Sequence, residues 1–407
     1  MRAISPAGLA ALALAAGLSL AACSSSPAKT AAATGSASTS GGSKCGTIPT
    51  ALPSDPDGVL TSLPASLREL YNGYPTTVYK SAFARWKPRS GSKTVGFLLS
   101  ETNNGYQLAL QHILEGMLHG AGYQVDAVTS SDEVTDQVAD FNQMVEKKDA
   151  LIVYEPLSSS AFTTAVKNAA SAGIPSISLL NSVGSADTIS LGANDWLQGA
   201  QLGARVARDI GGQGQVLDVH GISGVAIDTA TYSGVKAAFA ECHGITTNDT
   251  IYDQFADSTA KSDVQTYLET HPQKIAAAMT SGAGATGVLE GFQAAGKTVP
   301  EIANDSMEDG ELAYWDQHRS SYRGVGITTT PPQLALATTT LVKDLFAGDG
   351  VKISAVVLNT PLVTDTTVAQ WFTRGMTPTS TGNAGGPPSL DVLPAAELSS
   401  ILGHSGP

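Results

Sequence analysis

Short apolar runs alternate with amphipathic segments of helical length along most of the chain. From Lys93, the run TVGFLLS precedes LALQHILEGMLHGAG, whose apolar residues recur at helical spacing as far as two closely spaced glycines. YQVDAVTS, EVTDQVADFNQMVEKK and DALIVYEP continue the alternation. Because strands that alternate with helices pair in parallel, the pattern predicts a parallel sheet covered by helices on both faces.

The alternation starts again after the helical segment DWLQGAQLGARVARDIGG. GQVLDVHG, TIYDQFAD, KIAAAMTS and VPEIAND have the pattern of strands, and helical patterns such as DTATYSGVKAAFAEC separate them. A body of roughly 320 residues between the two ends is also long for one small core. The two series therefore predict an α/β protein with two similar, doubly wound parallel-sheet lobes.

The two ends of the chain differ from this regular body. Arg2 is followed by an apolar run and then by LAAC, a pattern typical of a secretory signal peptide over residues 1–22. The LAAC segment resembles a bacterial lipobox, which implies lipidation of Cys23 and anchoring at the outer face of the cell membrane. An ordinary signal peptide with an incidental cysteine is the alternative. Residues 23–55 are predicted to be a flexible linker, and residues 371–407 a low-complexity tail with at most a helical turn or two.

Residues 56–92 form an extension before the first strand of the regular pattern. Its sequence LPASLRELYNGYPTTVYKSAFARWKP predicts a helix and an arm that contains Trp86. Surface packing is the simplest role for this arm.

Composition limits the classes of partner and of chemistry. The chain has a formal net charge of −13 and no basic block, which argues against a nucleic-acid partner. No Cys/His spacing indicates a metal site. Cys45 and Cys242 either pair in an oxidising compartment or remain as two buried thiols, and the sequence leaves both possibilities open.

The stretch MTSGAGATGVLE contains the spacing GxGxxG of a dinucleotide-binding loop. Asp305 lies 18 residues past the last glycine, as an acid that binds a ribose would. A dinucleotide fingerprint belongs in the first strand-to-helix turn of its unit, whereas this stretch follows the third strand of the second series. We therefore expect a tight loop and no cofactor.

The order of several segments resembles a known family. Over residues 93–367, SETNNGYQLALQHILEGMLHGAGY, IPSISLL, LGANDWLQGAQLGARVA, YSGVKAAF, GVLEGFQAAGK and GITTTPPQLALATTTLVKDLFAG are similar to segments of periplasmic sugar-binding proteins of bacterial ABC importers. These are the ribose and galactose type, shared with LacI-like repressors. The resemblance implies two lobes joined by a hinge that closes over one small ligand. It implies residues 93–197 plus 330–357 for the first lobe, and residues 198–329 plus 358–370 for the second.

The resemblance also implies residues that line the cleft. In the first loop they are Ser100, Asn104, Tyr106 and Gln107, where the family has a polar side chain and aromatic residues that sandwich a sugar ring. Asn103 or Asn104 could instead cap the following helix, and both roles stay open.

The other implied positions depart in part from the family pattern. Phe255 matches an aromatic residue of the family, and Asp305 matches an acidic one. Asn181, in contrast, stands where the ribose type has an Asp-Arg pair. The second-lobe arginine is also missing. The remaining candidates are Thr229 near that arginine position, with Asp228 and Thr231 beside it, Ser281 in place of an asparagine, and Thr329 in place of a glutamine.

The loss of both arginines leaves a cleft biased toward carboxylates. Asp305, Glu155 at the end of DALIVYEP and Asp228 are its candidate acids, although Glu155 could also be a solvated loop residue. Such a cleft accepts hydrogen bonds from the hydroxyls of a polyol and equally suits an amine-bearing ligand.

Catalysis is not expected. The sequence has no G-x-S-x-G, and His220 and Ser223 in HGISG are too close along the chain to form a triad with an orienting acid. The predicted function is a monomeric solute-binding protein that hands a small polar ligand, a monosaccharide or sugar derivative, to the permease subunits of an ABC transporter. The alternative is a sensor that presents a sugar-like or amine-bearing signal molecule to a membrane receptor.

Overall fold

A computed structural model describes residues 44–91, 93–99, 105–131 and 133–403. The predicted signal peptide and Cys23 lie outside the described residues, as do the candidate ligand residues Ser100 and Asn104. The strands of the described part are β1 (Thr94–Leu99), β2 (Gln124–Thr129), β3 (Leu151–Tyr154), β4 (Ser176–Leu179), β5 (Ile189–Gly192), β6 (Gln213–His220), β7 (Gly244–Tyr252), β8 (Ile275–Thr280), β9 (Glu301–Asn304), β10 (Gly324–Gly326), β11 (Gly350–Val351), β12 (Ala355–Val357) and β13 (Leu402–Gly403).

The α-helices of the same ranges are α1 (Ala65–Glu69), α2 (Gly105–Gly120), α3 (Val134–Lys147), α4 (Thr163–Ser171), α5 (Asp195–Asp209), α6 (Ala226–Phe239), α7 (Asp257–Thr270), α8 (Ala285–Ala294), α9 (Asp309–Gln317), α10 (Pro331–Ala347) and α11 (Ala395–Ile401). Short 3₁₀ turns cover Val59–Ser62, Ser159–Phe162 and Val368–Gln370. Within the described ranges, none of these helices has the length and apolar character of a membrane span.

Two parallel sheets form the centre of the protein. The first has the strand order β12-β5-β4-β3-β1-β2 and the second the order β10-β9-β8-β6-β7. Every paired strand within these sheets runs parallel, as in the register of Val95 with Leu151 and of Ala278 with Ile302. Strands β3, β4 and β5 are buried along their whole length because helices cover both faces. The predicted α/β fold with two doubly wound parallel-sheet lobes is confirmed. We call the regions around these sheets the first and the second lobe.

Three chain crossings between the lobes directly follow strands of the two sheets, and helix caps define two of them. Asn194 follows β5 and caps α5 through its side chain, which accepts a hydrogen bond from the Leu197 amide. Thr330 follows β10 and forms a capping box with Gln333 at the start of α10. The third crossing follows β12, where the Thr360 hydroxyl accepts a 2.9 Å hydrogen bond from Gln198 of α5.

Helices α5 and α6 pack at a distance that only glycine allows. A Cβ atom on Gly199 would lie 1.9 Å from the carbonyl oxygen of Thr231, and one on Gly234 would lie 2.0 Å from that of Trp196. The two glycines face each other across the helix pair, so each backbone contacts the other directly. Thr231 of α6 therefore lies directly against the backbone of α5.

The extension at residues 56–92 belongs to the core of the first lobe, so surface packing was the wrong expectation for it. Leu60, Leu67, Tyr71 and Val78 are all buried there, and Trp86 donates a 2.9 Å hydrogen bond to the carbonyl oxygen of Gly173. The apolar side chains are spaced irregularly along an arm with little secondary structure. No helical or strand period therefore indicated their burial.

The predicted linker also ends earlier than its composition indicated. Cys45 forms a disulfide with Cys242, 197 residues further on, which joins the start of the described chain to the second lobe. The Ala51 carbonyl accepts a 2.8 Å hydrogen bond from the Gly73 amide, and the Ser54 carbonyl accepts one from Val78. Residues 45–55 are therefore packed against the protein body.

The C-terminal stretch is folded as far as residue 403, in contrast to the predicted low-complexity tail. Trp371 and Ala384 pack in a core cluster of the second lobe, whereas Leu398 and Ile401 of α11 pack in the first. Strand β13 pairs antiparallel with β11. The large apolar residues of this stretch stand singly among Gly, Pro and Ser, and the residues they pack against are distant in sequence. The local composition therefore gave no sign of folding.

The glycine contact between α5 and α6 gives a first prediction. We expect Gly199→Ala to lower the free energy of unfolding by about 1–3 kcal/mol, because the new methyl group overlaps the Thr231 carbonyl oxygen. Urea denaturation measures the change. Gly116→Ala on α2 is the matched control, because a Cβ atom there meets nothing within 4 Å. This control should gain roughly 1 kcal/mol from helix propensity. Equal effects at the two positions would contradict the close approach.

Candidate ligand-binding site

Asp305 is the central acid of the candidate site. It directly follows β9 and is buried at the carboxyl end of the second sheet. One carboxylate oxygen accepts a 2.5 Å hydrogen bond from the Gly282 amide, and the other accepts one of 3.3 Å from the Thr231 hydroxyl. Burial nevertheless raises the pKa of Asp305 to about 7. The group can therefore be charged or neutral near neutral pH.

Asp195 brings a second carboxyl group from the first crossing. It is the first residue of α5, immediately after the capping Asn194. Burial raises its pKa well above the ordinary value, and the nearby charge of Asp305 raises it further. The crossing thus places two acids of like charge within interaction distance of each other.

Glu155 is the acid of the first lobe. It follows β3 and is 8% exposed. Gln137 holds the loop, because its amide nitrogen donates to the Glu155 carbonyl oxygen at 2.7 Å and its amide oxygen accepts from the Leu157 amide at 2.9 Å. Burial raises the pKa of the Glu155 carboxyl to about 7, and a 3.5 Å contact from the Gln107 amide partly offsets this. The alternative that Glu155 is a solvated loop residue does not agree with its burial.

Tyr106 connects the two lobes within this group. Its hydroxyl donates a 2.7 Å hydrogen bond to the carbonyl oxygen of Thr329, at the second crossing. Burial raises the pKa of the phenol, and the charges of Glu155 and Asp195 raise it further. Tyr106 interacts with Glu155 and Asp195, and Asp195 interacts with Asp305, so we call these three acids the acid cluster.

Several polar atoms around the acid cluster have no partner among the described residues. They are Oε2 of Glu155, Oγ1 of Thr329, Oγ of Ser281 and Oδ1 of Asn181. Ser281 is fully buried and Thr329 is 5% exposed. Buried polar groups are usually hydrogen-bonded in native proteins, so atoms of this kind at the ends of strands indicate a place for a polar ligand.

The remaining candidate residues occupy the same edges of the sheets with different surroundings. Asn181 follows β4 after Leu180, whose φ of 58° turns the chain. Phe255 lies with its ring against Gly221 and Gly282, where Cβ atoms would come within 1.8 and 2.6 Å of the ring. Thr229 is exposed on α6, and it is Thr231, two residues further along the helix, that contacts Asp305.

The amides of the glycine-rich loop are occupied by carboxyl groups of the protein itself. Gly284 and Thr286 donate hydrogen bonds of 2.8 and 2.7 Å to the two oxygens of Glu308, and Gly287 donates one of 2.9 Å to Asp257. Burial and the charge of Asp257 raise the pKa of Glu308 to about 8. These are the donors that a pyrophosphate would need, so the GxGxxG spacing here forms a loop held by internal acids.

Asp228 lies near enough to Asp305 to raise its pKa, and both of its own oxygens have partners within the protein. Its two oxygens contact the His220 ring nitrogen Nδ1 at 3.0 Å and the Gly221 amide at 2.9 Å. The His220 ring packs between Tyr232 and Tyr252, with centroid distances of 3.8 and 5.1 Å. This pairing holds the loop after β6, while Ser223 in the same loop is exposed.

A large cavity lies at the opposite edge of the second sheet. It has a volume of about 820 Å³ and is lined at the amino ends of the strands, by Gln213, Lys274, Glu301 and Arg323 among others. None of the candidate residues lines it. In open parallel sheets ligands bind beyond the carboxyl ends of the strands, so the acid cluster is the better candidate site. The described residues contain no group of three or more His, Cys, Asp or Glu that could hold a metal ion.

Fold and site together define a two-lobed α/β binding protein with its polar residues at the junction of the lobes. Residues 95–350 match the model of the periplasmic binding protein domain, and the chain belongs to this family. Among curated proteins it is similar to the ribose import binding protein RbsB of Bacillus subtilis, with 24% identity over 237 residues, 57% of this chain and 77% of that protein.

Solved structures share the fold at low sequence identity. An ABC transporter solute-binding protein of Actinobacillus succinogenes with bound D-allose aligns with a TM-score of 0.60 and 20% identity, covering 68% of this chain and 99% of that one. A solute-binding protein of Burkholderia graminis in complex with D-arabinose aligns with a TM-score of 0.63 and 15% identity, covering 70% and 100%. These likenesses concern the fold.

The raised pKa of Asp305 predicts how stability depends on pH. The folded protein keeps a proton on Asp305 up to about pH 7, whereas the unfolded chain releases it near 3.8. The native state therefore binds more protons between these values, and this group lowers the stability as the pH rises from about 4 to 7. Replacing Asp305 by Asn should remove up to roughly 1 kcal/mol per pH unit from the decrease in the free energy of unfolding.

Urea denaturation at several pH values between 4 and 8 measures this slope. Asp305→Asn should flatten it, whereas Asp263→Asn, at an exposed position on α7, should keep the slope of the unmodified protein. An identical slope for Asp305→Asn and the unmodified protein would show that Asp305 is not a buried acid.

Proposed function

We propose that this protein captures a small sugar or sugar derivative outside the cytoplasm and delivers it to the permease of an ABC importer. Membership in the periplasmic binding protein domain family supports this, as do relatives named for ribose import and similar structures that hold D-allose and D-arabinose. The observation that carries the proposal is the convergence of buried polar side chains, some without partners, from both sheets onto the crossings between the lobes.

Each lobe contributes a distinct part of the proposed site. The first lobe contributes Tyr106, Gln107, Glu155 and Asn181, and the second contributes Thr229, Phe255, Ser281, Asp305 and Thr329. Ser100 and Asn104, in the loop after β1, complete the proposed set. The ligand would bind by hinge closure, since neither edge alone surrounds a small solute.

The chemistry of these groups suits a polyol. Carboxylates accept hydrogen bonds from hydroxyls, and a hydrogen bond to a charged group contributes about 1.5–3 kcal/mol, against about 0.5–1.5 for a neutral pair. The ring of Phe255 offers an apolar surface to the C–H face of a sugar. A few such contacts are enough for micromolar affinity once the cost of immobilising the ligand is subtracted. Micromolar affinity corresponds to a binding free energy of about −8 kcal/mol.

The location in the cell follows from the N-terminal pattern. We propose that Cys23 carries a lipid anchor after removal of the signal peptide, so that a monomer is tethered to the outer face of the membrane. The tether would end at Cys45, because the disulfide to Cys242 joins this point to the second lobe. The ligand is released unchanged to the permease, and no catalytic step is part of the proposal.

A thermal-shift screen tests this function. Residues 44–407 are screened against monosaccharides, polyols, nucleosides and NAD. Binding to the native state alone should raise the stability by about 2.7 kcal/mol at a hundredfold excess over Kd. We expect a shift with one sugar or polyol and its loss in Asp305→Ala, but not in the control Asp263→Ala. A shift with NAD or a nucleoside and with no saccharide would overturn the proposed function.

A further inference from the structure

The loops at the carboxyl edges of both sheets contain no lysine and no arginine. This holds for the segments 155–158, 180–188, 193–194, 221–225, 253–256, 281–284, 305–308, 327–330 and 358–360. The sequence SETNN at residues 100–104, which lie outside the described ranges, also has none. The basic side chain at this edge is His220, the last residue of β6, and its Nδ1 contacts Asp228.

The acid cluster therefore has no internal counter-charge among the described residues. Asp305 faces the Gly282 amide, the Thr231 hydroxyl and the acids Asp195 and Asp228. Glu155 faces Gln107 and the phenol of Tyr106. Among these described groups, none carries a positive charge. A buried carboxylate without a cation is unfavourable, which is why buried charges in proteins are normally paired.

Besides the missing counter-charge, unpartnered buried side-chain atoms lie at the same edges of the sheets. The Ser281 hydroxyl is fully buried, the Thr329 hydroxyl belongs to a residue 5% exposed, and Oε2 of Glu155 belongs to one 8% exposed. None of the three has a hydrogen-bond partner in the described residues. Carboxylates accept hydrogen bonds only, so a ligand that donates several of them, and that brings a positive charge, satisfies both deficits at once.

We propose that the ligand of this site is a sugar or polyol that carries a protonated amine, and that the acid cluster of Glu155, Asp195 and Asp305 provides the opposite charge. This inference rests on the proposed function and specifies the chemical class of its ligand. The ammonium group supplies up to three donors and the missing cation, while the hydroxyls contact the remaining acceptors. The same charge arrangement disfavours a uronic acid or a sugar phosphate, because their anions meet like charge.

Proton release is a consequence of this arrangement. In the free protein, Glu155 and Asp305 hold protons below about pH 7, where burial places their pKa values. An ammonium group binds the charged carboxylate, so its binding below pH 7 must displace a proton. If one such group deprotonates, the affinity should rise about tenfold between pH 6 and pH 8. A neutral sugar can use the protonated carboxyl as a donor and needs no such release.

Isothermal titration calorimetry with matched probes tests the inference. The probes are hexosamine, hexose and hexuronate of the gluco, galacto and manno configurations, and the pair of glucitol and 1-amino-1-deoxyglucitol. We expect an amine-bearing probe to bind at least tenfold more tightly than its neutral counterpart. If an aminoglucitol binds, its affinity should rise about tenfold from pH 6 to pH 8, because its amine stays protonated in this range.

Two acid variants separate the charge effect from a loss of structure. Asp305→Asn should lower the affinity for the amine-bearing probe at least tenfold and remove most of its pH dependence. The affinity for the neutral counterpart should change less. Asp195→Asn should act in the same direction, should Asp305→Asn fail to fold. Asp263→Asn should leave every affinity unchanged. Circular dichroism and thermal midpoints identify variants that are not folded.

Different outcomes affect the two proposals differently. A neutral sugar that binds as tightly as its amine, or a uronate that binds more tightly, overturns the amine inference and leaves the sugar-binding function intact. Binding of a plain diamine such as putrescine, without binding of any saccharide or polyol, overturns the proposed function and the sugar part of the inference. If no probe in the full panel binds, both proposals are wrong.

Discussion

Burial of carboxyl groups where the two parallel sheets meet is the constraint on which this structure depends. Parallel strands place their following loops at one edge, so the acids that follow β3 and β9 both lie at the carboxyl edges of their sheets. The protein then holds these acids with amides and hydroxyls, as Gly282 and Thr231 hold Asp305. We propose that a bound solute balances their charge.

The same use of internal acids explains the glycine-rich loop. Glu308 and Asp257 occupy the amides of Gly284, Thr286 and Gly287, which keeps the loop in one conformation beside Asp305. Gly282 of this loop and Gly221 after β6 leave the space that the Phe255 ring occupies. The amides of a motif that in other proteins receives a phosphate are here bonded to acids of the protein itself.

The terminal segments link the lobes in addition to the three crossings. The N-terminal segment is joined to the second lobe by the Cys45–Cys242 disulfide and contributes Leu60 and Tyr71 to the core of the first. The C-terminal segment contributes Trp371 to the second lobe and Leu398 to the first. Any hinge motion must therefore move these segments with the lobes, which limits how far the edges can separate.

The sequence predicts the architecture well because strand and helix periods are local properties of the chain. The two series of alternating elements and the loops that follow the strands were all readable in this way. The contact of Thr231 with Asp305 and the charge of Asp195 were not, because they depend on the packing of α5 against α6 through glycines. The folded C-terminal segment was missed for a related reason. Its buried side chains, such as Trp371 and Leu398, are separated by residues whose composition resembles that of a linker.

The central claim is that a ligand binds between the carboxyl edges of the two sheets. A crystal structure of the protein with its tightest-binding sugar or amino sugar tests it most directly. The account predicts ligand density in contact with Asp305 and Tyr106, with hydrogen bonds to the Ser281 and Thr329 hydroxyls. Density in the cavity at the amino ends of the second sheet, beside Lys274 and Arg323, would contradict it.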